Sequence, residues 1–347
     1  MTQRHFLVAT ALGLSVLCLG CSAPSAVQAR TPRRPSATAV SPPPPRPSAA
    51  DRAQARHVHA NELGVVPVLM YHEIVPRRRG EFDRTPAEFR QELGALYVAG
   101  FRPVTAAEYV TGRFRLPAGT SPVVLTFDDA YRNQFARLAD GRPDPSTAVG
   151  MLLAFARTHP GFRPVATMYV NREPFGTPRY APLLRDLHAR GFELGDHTFS
   201  HEPLGSKDDV AVQREIALGQ RVITDVVPSA HVTTFALPLG VMPQHHQFAR
   251  RGSSGGIRYA MDGVFRVGAG PAPSPYSRRF DPGGIPRIRS SAWTGGPPNF
   301  GSAYWLAWLR SHPGKRYVSD GDARFVSFPR SLASELGQRQ PVVANAY

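Results

Sequence analysis

Cysteine is nearly missing from this chain. Its 347 residues include two, Cys18 and Cys21, both close to the N-terminus. Whatever folds beyond them has no disulfide staple and no thiol nucleophile, so its stability must come from packing. Lysine is nearly missing too, with only Lys207 and Lys315 among 41 basic side chains. No apolar run is long enough to cross a bilayer comfortably; the run from Phe6 to Leu19 is too short. There is no internal repeat, and no helix-turn-helix, zinc-finger or RNA-binding signature. A net charge of +15 therefore reads as a basic exterior, and no nucleic-acid partner is expected.

What is present divides the chain into three parts. Arg4 and His5 precede the apolar run, which suits a secretory leader over residues 1–20. The run ends in LCLGC, which resembles a bacterial lipoprotein cleavage site and implies a lipid on Cys21. Cleavage after Ala29, giving a secreted protein, is the alternative. Residues 21–60 are expected to be a disordered Pro/Arg-rich tether, since seven prolines lie between Pro32 and Pro47. A folded domain is expected over 61–347, with ordered structure from near Val65, extracytoplasmic and monomeric.

Within that domain strand and helix signals alternate. VPVLMY (66–71) reads as a buried strand. TPAEFRQELGALYVAG follows, with Thr85 as N-cap, Pro86 in the first turn and Glu88 closing a capping box. Phe89, Leu93, Leu96 and Tyr97 share one helical face, and Gly100 ends it. Thr105 and Glu108 repeat the box. PVVLTF, VATMYV, FELGDH, TTFALP and IPRI read as further strands. Residues 146–157, APLLRDLHARG, 208–227 and AYWLAWLRS read as helices. The βαβα rhythm over about 280 residues argues for parallel strands covered by helices, closed as a barrel.

The polar clusters fall at strand C-terminal ends, where βα-loops converge: YHEI (71–74), FDDA (127–130), DHTFSH (196–201) and ALPLG (236–240). His197 and His201 stand four apart. With one carboxylate they make a three-ligand metal site with an open position. Twelve histidines make a chance pair plausible, and an Asp-Asp pair alone is usually a turn. Only their joint placement carries weight.

TFDDA and HTFSH, in that order and spacing, resemble the polysaccharide deacetylase family, carbohydrate esterase family four. VPVLMYHEI, TPAEFRQEL and GFRPVT resemble its poly-N-acetylglucosamine de-N-acetylase branch. The resemblance implies an irregular (β/α)7 barrel, a divalent metal (zinc foremost) and an N-acetylated polysaccharide substrate. It makes Asp128 the general base and Asp129, His197 and His201 the metal ligands. It makes His72 the general acid and the backbone N–H of Leu239 the oxyanion donor. The family's third motif has an arginine where this chain has Ala236, and Arg287 and Arg250 are candidates to replace it. Tyr169, Phe199 and Trp293 are candidate sugar-stacking rings, and SPYSRRFDP (274–282) a candidate lid. Two rivals stay open: an O-acetyl esterase on the same fold, and an inactive glycan-binding lipoprotein.

Overall fold

The computed structural model of the chain describes residues 46–291 and 301–347. In chain order the elements begin α1 (Ala49–His57), β1 (Val68–Tyr71), α2 (Pro86–Val98), β2 (Phe101–Val104), α3 (Ala106–Thr111), β3 (Ser121–Phe127), α4 (Ala148–Thr158) and β4 (Thr167–Val170). They continue with α5 (Ala181–Ala189), β5 (Glu193–Asp196), α6 (Asp209–Thr224), β6 (Thr234–Ala236), α7 (Gln247–Arg250), β7 (Arg251–Ser254), β8 (Ile257–Ala260), β9 (Gly263–Phe265), β10 (Ile288–Arg289), α8 (Ser302–Ser311), β11 (Phe325–Phe328) and β12 (Val343–Ala346).

The main sheet runs β10-β1-β3-β4-β5-β6-β9, with every neighbouring pair parallel. β2 lies beside the first half of β3 and β1 beside its second half. Every residue of β1, β3 and β4 is buried. That is why VLMY and SPVVLTF are continuous runs: strands covered on both faces need no polar alternation. The segment from Ile285 to Arg289 closes the ring, because Ile285 pairs with β9 at Phe265 and Ile288 pairs with β1 at Leu69. The architecture is the expected irregular (β/α)7 barrel.

The helices start where their side chains dictate. Thr85 with Glu88, and Thr105 with Glu108, form complete capping boxes at α2 and α3. Phe89, Leu93 and Leu96 of α2 face the sheet and are fully buried. Gly100, at φ 81°, turns the chain into β2.

The tether expected over 21–60 ends sooner. Ser48 and Asp51 form a capping box on α1, and Ala55, Ala60, Asn61 and Glu62 are buried. AADRAQARH carries too few apolar residues to announce a packed helix. Its order comes from β11 and β12, through the Asn345 side chain to the Asp51 carbonyl (3.4 Å) and the Tyr347 hydroxyl to the Ala60 carbonyl (2.6 Å). Residues 1–45, including the leader and Cys21, lie outside the described residues, as does Trp293. Among the described residues no helix is long and apolar enough to cross a membrane. SPYSRRFDP is no lid: Ser274 bonds the Glu62 carbonyl, Tyr276 the Gly112 carbonyl (2.7 Å), and Phe280 is core.

Glu62 anchors the joint between this N-terminal stretch and the C-terminal strands. It accepts from the Ser327 N–H (2.8 Å), the Tyr317 hydroxyl (3.1 Å) and the Ser319 hydroxyl (3.2 Å). Burial, followed by the nearby Asp320 carboxylate, outweighs those donors and pushes the Glu62 carboxyl from 4.5 up to about 8. Between those values only the folded chain holds the proton. Stability therefore falls as pH rises through the window, by at most about 1.4 kcal/mol per pH unit. Replacing Glu62 with Gln keeps the acceptor and removes the titration. The thermal midpoint of Glu62→Gln, followed from about pH 5 to about pH 9, is expected to lose the alkaline decline of the parent. Parallel curves for the two proteins would refute this.

Candidate active site

Strand alternation would send Asp128 and Asp129 to opposite faces. The chain avoids this by ending β3 at Phe127 and entering the left-handed region at Asp129 (φ 70°) and Ala130 (φ 48°). Both carboxylates then meet the same histidine. Asp129 Oδ1 lies 3.5 Å from His197 Nε2 and 3.2 Å from His201 Nε2, and Asp128 Oδ2 lies 3.9 Å from His197 Nε2. The β1 and β3 ends are locked in register by Gln134, fully buried, which donates to the carbonyls of Asp128 (2.6 Å) and His72 (2.9 Å).

Asp129, His197 and His201 are the group of side chains, among the described residues, that could hold a metal ion; their ligand atoms lie within 4.8 Å of one another. The donor chemistry fits. His197 donates from Nδ1 to the Ala236 carbonyl (2.7 Å), which fixes the tautomer and leaves the Nε2 lone pair facing Asp129. Burial pulls the His197 pKa below its ordinary value against the pull of Asp128 and Asp129, so the neutral, ligating form is favoured. One carboxylate oxygen and two imidazole nitrogens suit a divalent cation of the zinc type. His201 is partly exposed and marks the open side.

Asp128 is held differently. It is buried, and Arg287, also buried, grips it through two parallel hydrogen bonds, Nη1 to Oδ1 (2.6 Å) and Nη2 to Oδ2 (2.7 Å). Two further guanidinium N–H groups reach Thr126 Oγ1 (3.1 Å) and the Arg266 carbonyl (3.2 Å). Burial alone would raise the Asp128 pKa. The Arg287 charge, aided by His197 and the Arg287 hydrogen bonds, reverses this and holds the carboxyl well below the usual range. Arg287 thus stands where Ala236 offers no side chain. Arg250 does not reach Asp128; Ala236 contributes its carbonyl instead.

His72 completes the mouth. Its Nε2 lies 3.9 Å from Asp128 Oδ2, and its ring packs at 4.9 Å against Phe82. Tyr71, the next residue back, points the other way, stacking on Phe127 and bonding Glu92 (2.6 Å). Leu239 sits beyond β6 at φ 54°, and its N–H makes no hydrogen bond with the described backbone. A cleft of about 480 Å³ runs past Asp129, His201, Tyr131 and Glu73. Of the aromatic candidates, Tyr169 is buried under Arg287 and Phe199 is half-buried. The exposed rings at the rim are Phe82 and Tyr131, which sequence pattern alone did not single out.

A buried carboxylate held ionised beside a metal-type triad, at the C-terminal mouth of a (β/α)7 barrel, is an arrangement suited to hydrolysis. Residues 116–251 match the polysaccharide deacetylase family model. No curated protein matches the chain in sequence. Solved structures share the fold. The Streptococcus pyogenes deacetylase PplD in complex with acetate is 17% identical over 70% of this chain and 97% of that one, with a TM-score of 0.52. The putative polysaccharide deacetylase BA0330 from Bacillus anthracis is 18% identical over 66% of each chain, with a TM-score of 0.51. BC0361, a polysaccharide deacetylase from Bacillus cereus, is 18% identical over 66% of each, with a TM-score of 0.50.

Removing Arg287 strands a buried anion. Arg287→Met is expected to cost about 3–5 kcal/mol in urea unfolding. Adding Asp128→Asn to it should restore part of that loss, because the uncompensated charge goes with it. Strictly additive losses would show that the pair is not coupled.

Proposed function

We propose that this chain removes N-acetyl groups from an N-acetylated polysaccharide, with Asp129, His197 and His201 holding a divalent cation, zinc foremost. The observation that carries this reading is the shared mouth: the three ligand atoms converge while Asp128, unliganded and paired with Arg287, lies 3.9 Å from His197. A cation bound there supplies Lewis acidity to the acetyl carbonyl and lowers the pKa of water.

The chain's own groups do the rest. Asp128, kept ionised by Arg287, accepts the proton of the attacking water as the new C–O bond forms. The Leu239 N–H donates to the oxygen that gains negative charge. His72 gives a proton to the departing nitrogen as the C–N bond breaks, leaving acetate and a free amine on the sugar. Phe82 steers His72, whose Nδ1 is buried and has no partner among the described residues, so its polar edge is Nε2 on the Asp128 side. Phe82 and Tyr131, both exposed at the rim, are aromatic side chains that a glycan could contact. The leader, Cys21 and the Pro-rich stretch support a lipid-anchored, extracytoplasmic setting, where such polymers lie.

Arg287 bears on the inactive rival, since it supplies the charge that Ala236 lacks. The ester rival differs at the leaving group: an alkoxide depends less on an acid than an amine does. Metal-loaded protein is expected to release acetate from chito-oligosaccharides. Asp128→Asn should lower the rate by roughly 10²–10⁴-fold, and His72→Ala should cost amide cleavage more than ester cleavage. Acetate release that survives both chelation and Asp128→Asn would overturn the reading. Binding without release would favour the inactive rival, and His72→Ala retaining full activity on acetylated xylan alone would favour the esterase.

A further inference from the structure

The turn that carries His201 is strained. Thr198 sits at φ 62° and His201 at φ 59°, and a β-branched residue at positive φ is a conformational outlier that surrounding bonds must enforce. His201 is partly exposed, so packing alone does not aim it. Backbone bonds do, and each N–H from 197 to 201 has a partner. His197 donates to the Val170 carbonyl (3.0 Å), Thr198 to Asp196 Oδ1 (2.7 Å) and His201 to Thr198 Oγ1 (3.1 Å). The two in the middle both go to one residue of α6. Phe199 N–H donates to the Glu215 carbonyl (3.0 Å), and the N–H and hydroxyl of Ser200 both donate to Glu215 Oε2 (2.8 Å each).

Nothing else claims that carboxylate. Among the described residues Glu215 makes no ion pair, so its charge is spent on the Ser200 donors. Gly219, one helical turn on, lets α6 come this close: a Cβ there would overlap Asp196 Oδ1. From the far side the Arg172 N–H donates to the Phe199 carbonyl (3.1 Å). The turn is therefore clamped between the β4 loop and α6, with the Glu215 carboxylate as the clamp from α6.

We propose that Glu215 is a positioning residue for the metal site, holding the strained 198–201 turn so that His201 Nε2 points at Asp129 before any metal arrives. This rests on the reading of Asp129, His197 and His201 as ligands. Without Glu215 the middle of the turn loses two side-chain bonds, the left-handed residues relax, and one of three ligands swings free. The effect belongs in metal affinity and not in the chemistry of the water or the amine.

The test uses the full chain, with zinc competed against a chromophoric chelator, and compares the parent with Glu215→Ala, Glu215→Gln and Ser200→Ala. Glu215→Ala is expected to bind zinc about 10–100-fold more weakly, the usual loss when a supporting bond behind a ligand is removed. Glu215→Gln, whose amide oxygen still accepts from Ser200, should recover most of it. Ser200→Ala keeps its N–H and should fall between. In metal-free protein, amide exchange at Phe199 and Ser200 should speed up in Glu215→Ala while the rest of the barrel is unchanged. Parental zinc affinity and unchanged exchange in a folded Glu215→Ala protein would overturn the proposal, as would a Gln variant no better than Ala. If Glu215→Ala fails to fold, Glu215→Gln and Ser200→Ala carry the comparison. If the parent itself does not bind zinc, the ligand assignment fails, and the metal-free exchange data still decide what Glu215 does.

Discussion

The candidate site depends on a buried ion pair, Asp128 with Arg287. A carboxylate out of water normally takes up a proton, and a protonated Asp128 could not serve as a base. Two short, parallel bonds from a guanidinium that is itself buried reverse that tendency. Pairs of this kind contribute little net stability, because desolvation consumes most of the attraction. Their value here is a fixed charge at a fixed place. Arg287 also ties the ends of the ring together. It lies just before β10, on the segment that closes the barrel between β9 and β1, yet it grips the residue that follows β3. The segment that closes the barrel thus also carries the guanidinium that pairs with Asp128.

Around that pair the chain concentrates its unfavourable backbone. Of the seven non-glycine residues at positive φ among the described residues, six lie in loops beyond β3, β4, β5 and β6: Asp129, Ala130, Phe175, Thr198, His201 and Leu239. Three of them carry proposed chemistry. Strain of this kind survives only where neighbours over-determine it. The neighbours are visible: Gln134 under the β1 and β3 ends, Asp196 and Glu215 around the histidine turn, and the Ala236 carbonyl behind His197. None of these neighbours is itself a proposed ligand, base or acid. Their work is to hold those groups in directions that a relaxed chain would not choose.

The legible part of this protein was local. Capping boxes at Thr85 and Thr105, apolar faces on α2 and continuous apolar runs in β1 and β3 all announce themselves within a dozen residues, and they define the alternation that implies a barrel. The acid and histidine clusters could be aligned because each closes a strand. What stayed hidden was held by distant contacts. α1 lacks an apolar stripe and folds because β11 and β12 receive it. The β7–β8 hairpin, with a polar and glycine-rich RGSSGGIR sequence, resembles a loop until α6 supports it through Gln213 and Gln220.

The sequence by itself determined which residues have the right chemistry and at which strand ends they fall, because residue type and period-two or 3.6 patterning are written in neighbouring letters. Tertiary structure decided which of them meet. Arg287 lies 159 positions from Asp128, and nothing in its own IPRI surroundings distinguishes it from Arg250. Only ring closure brings a guanidinium to that carboxylate, and only the left-handed turns beyond β3 and β5 aim Asp129 and His201 at one point. Those are properties of three-dimensional closure and backbone strain, which no local pattern of side chains encodes.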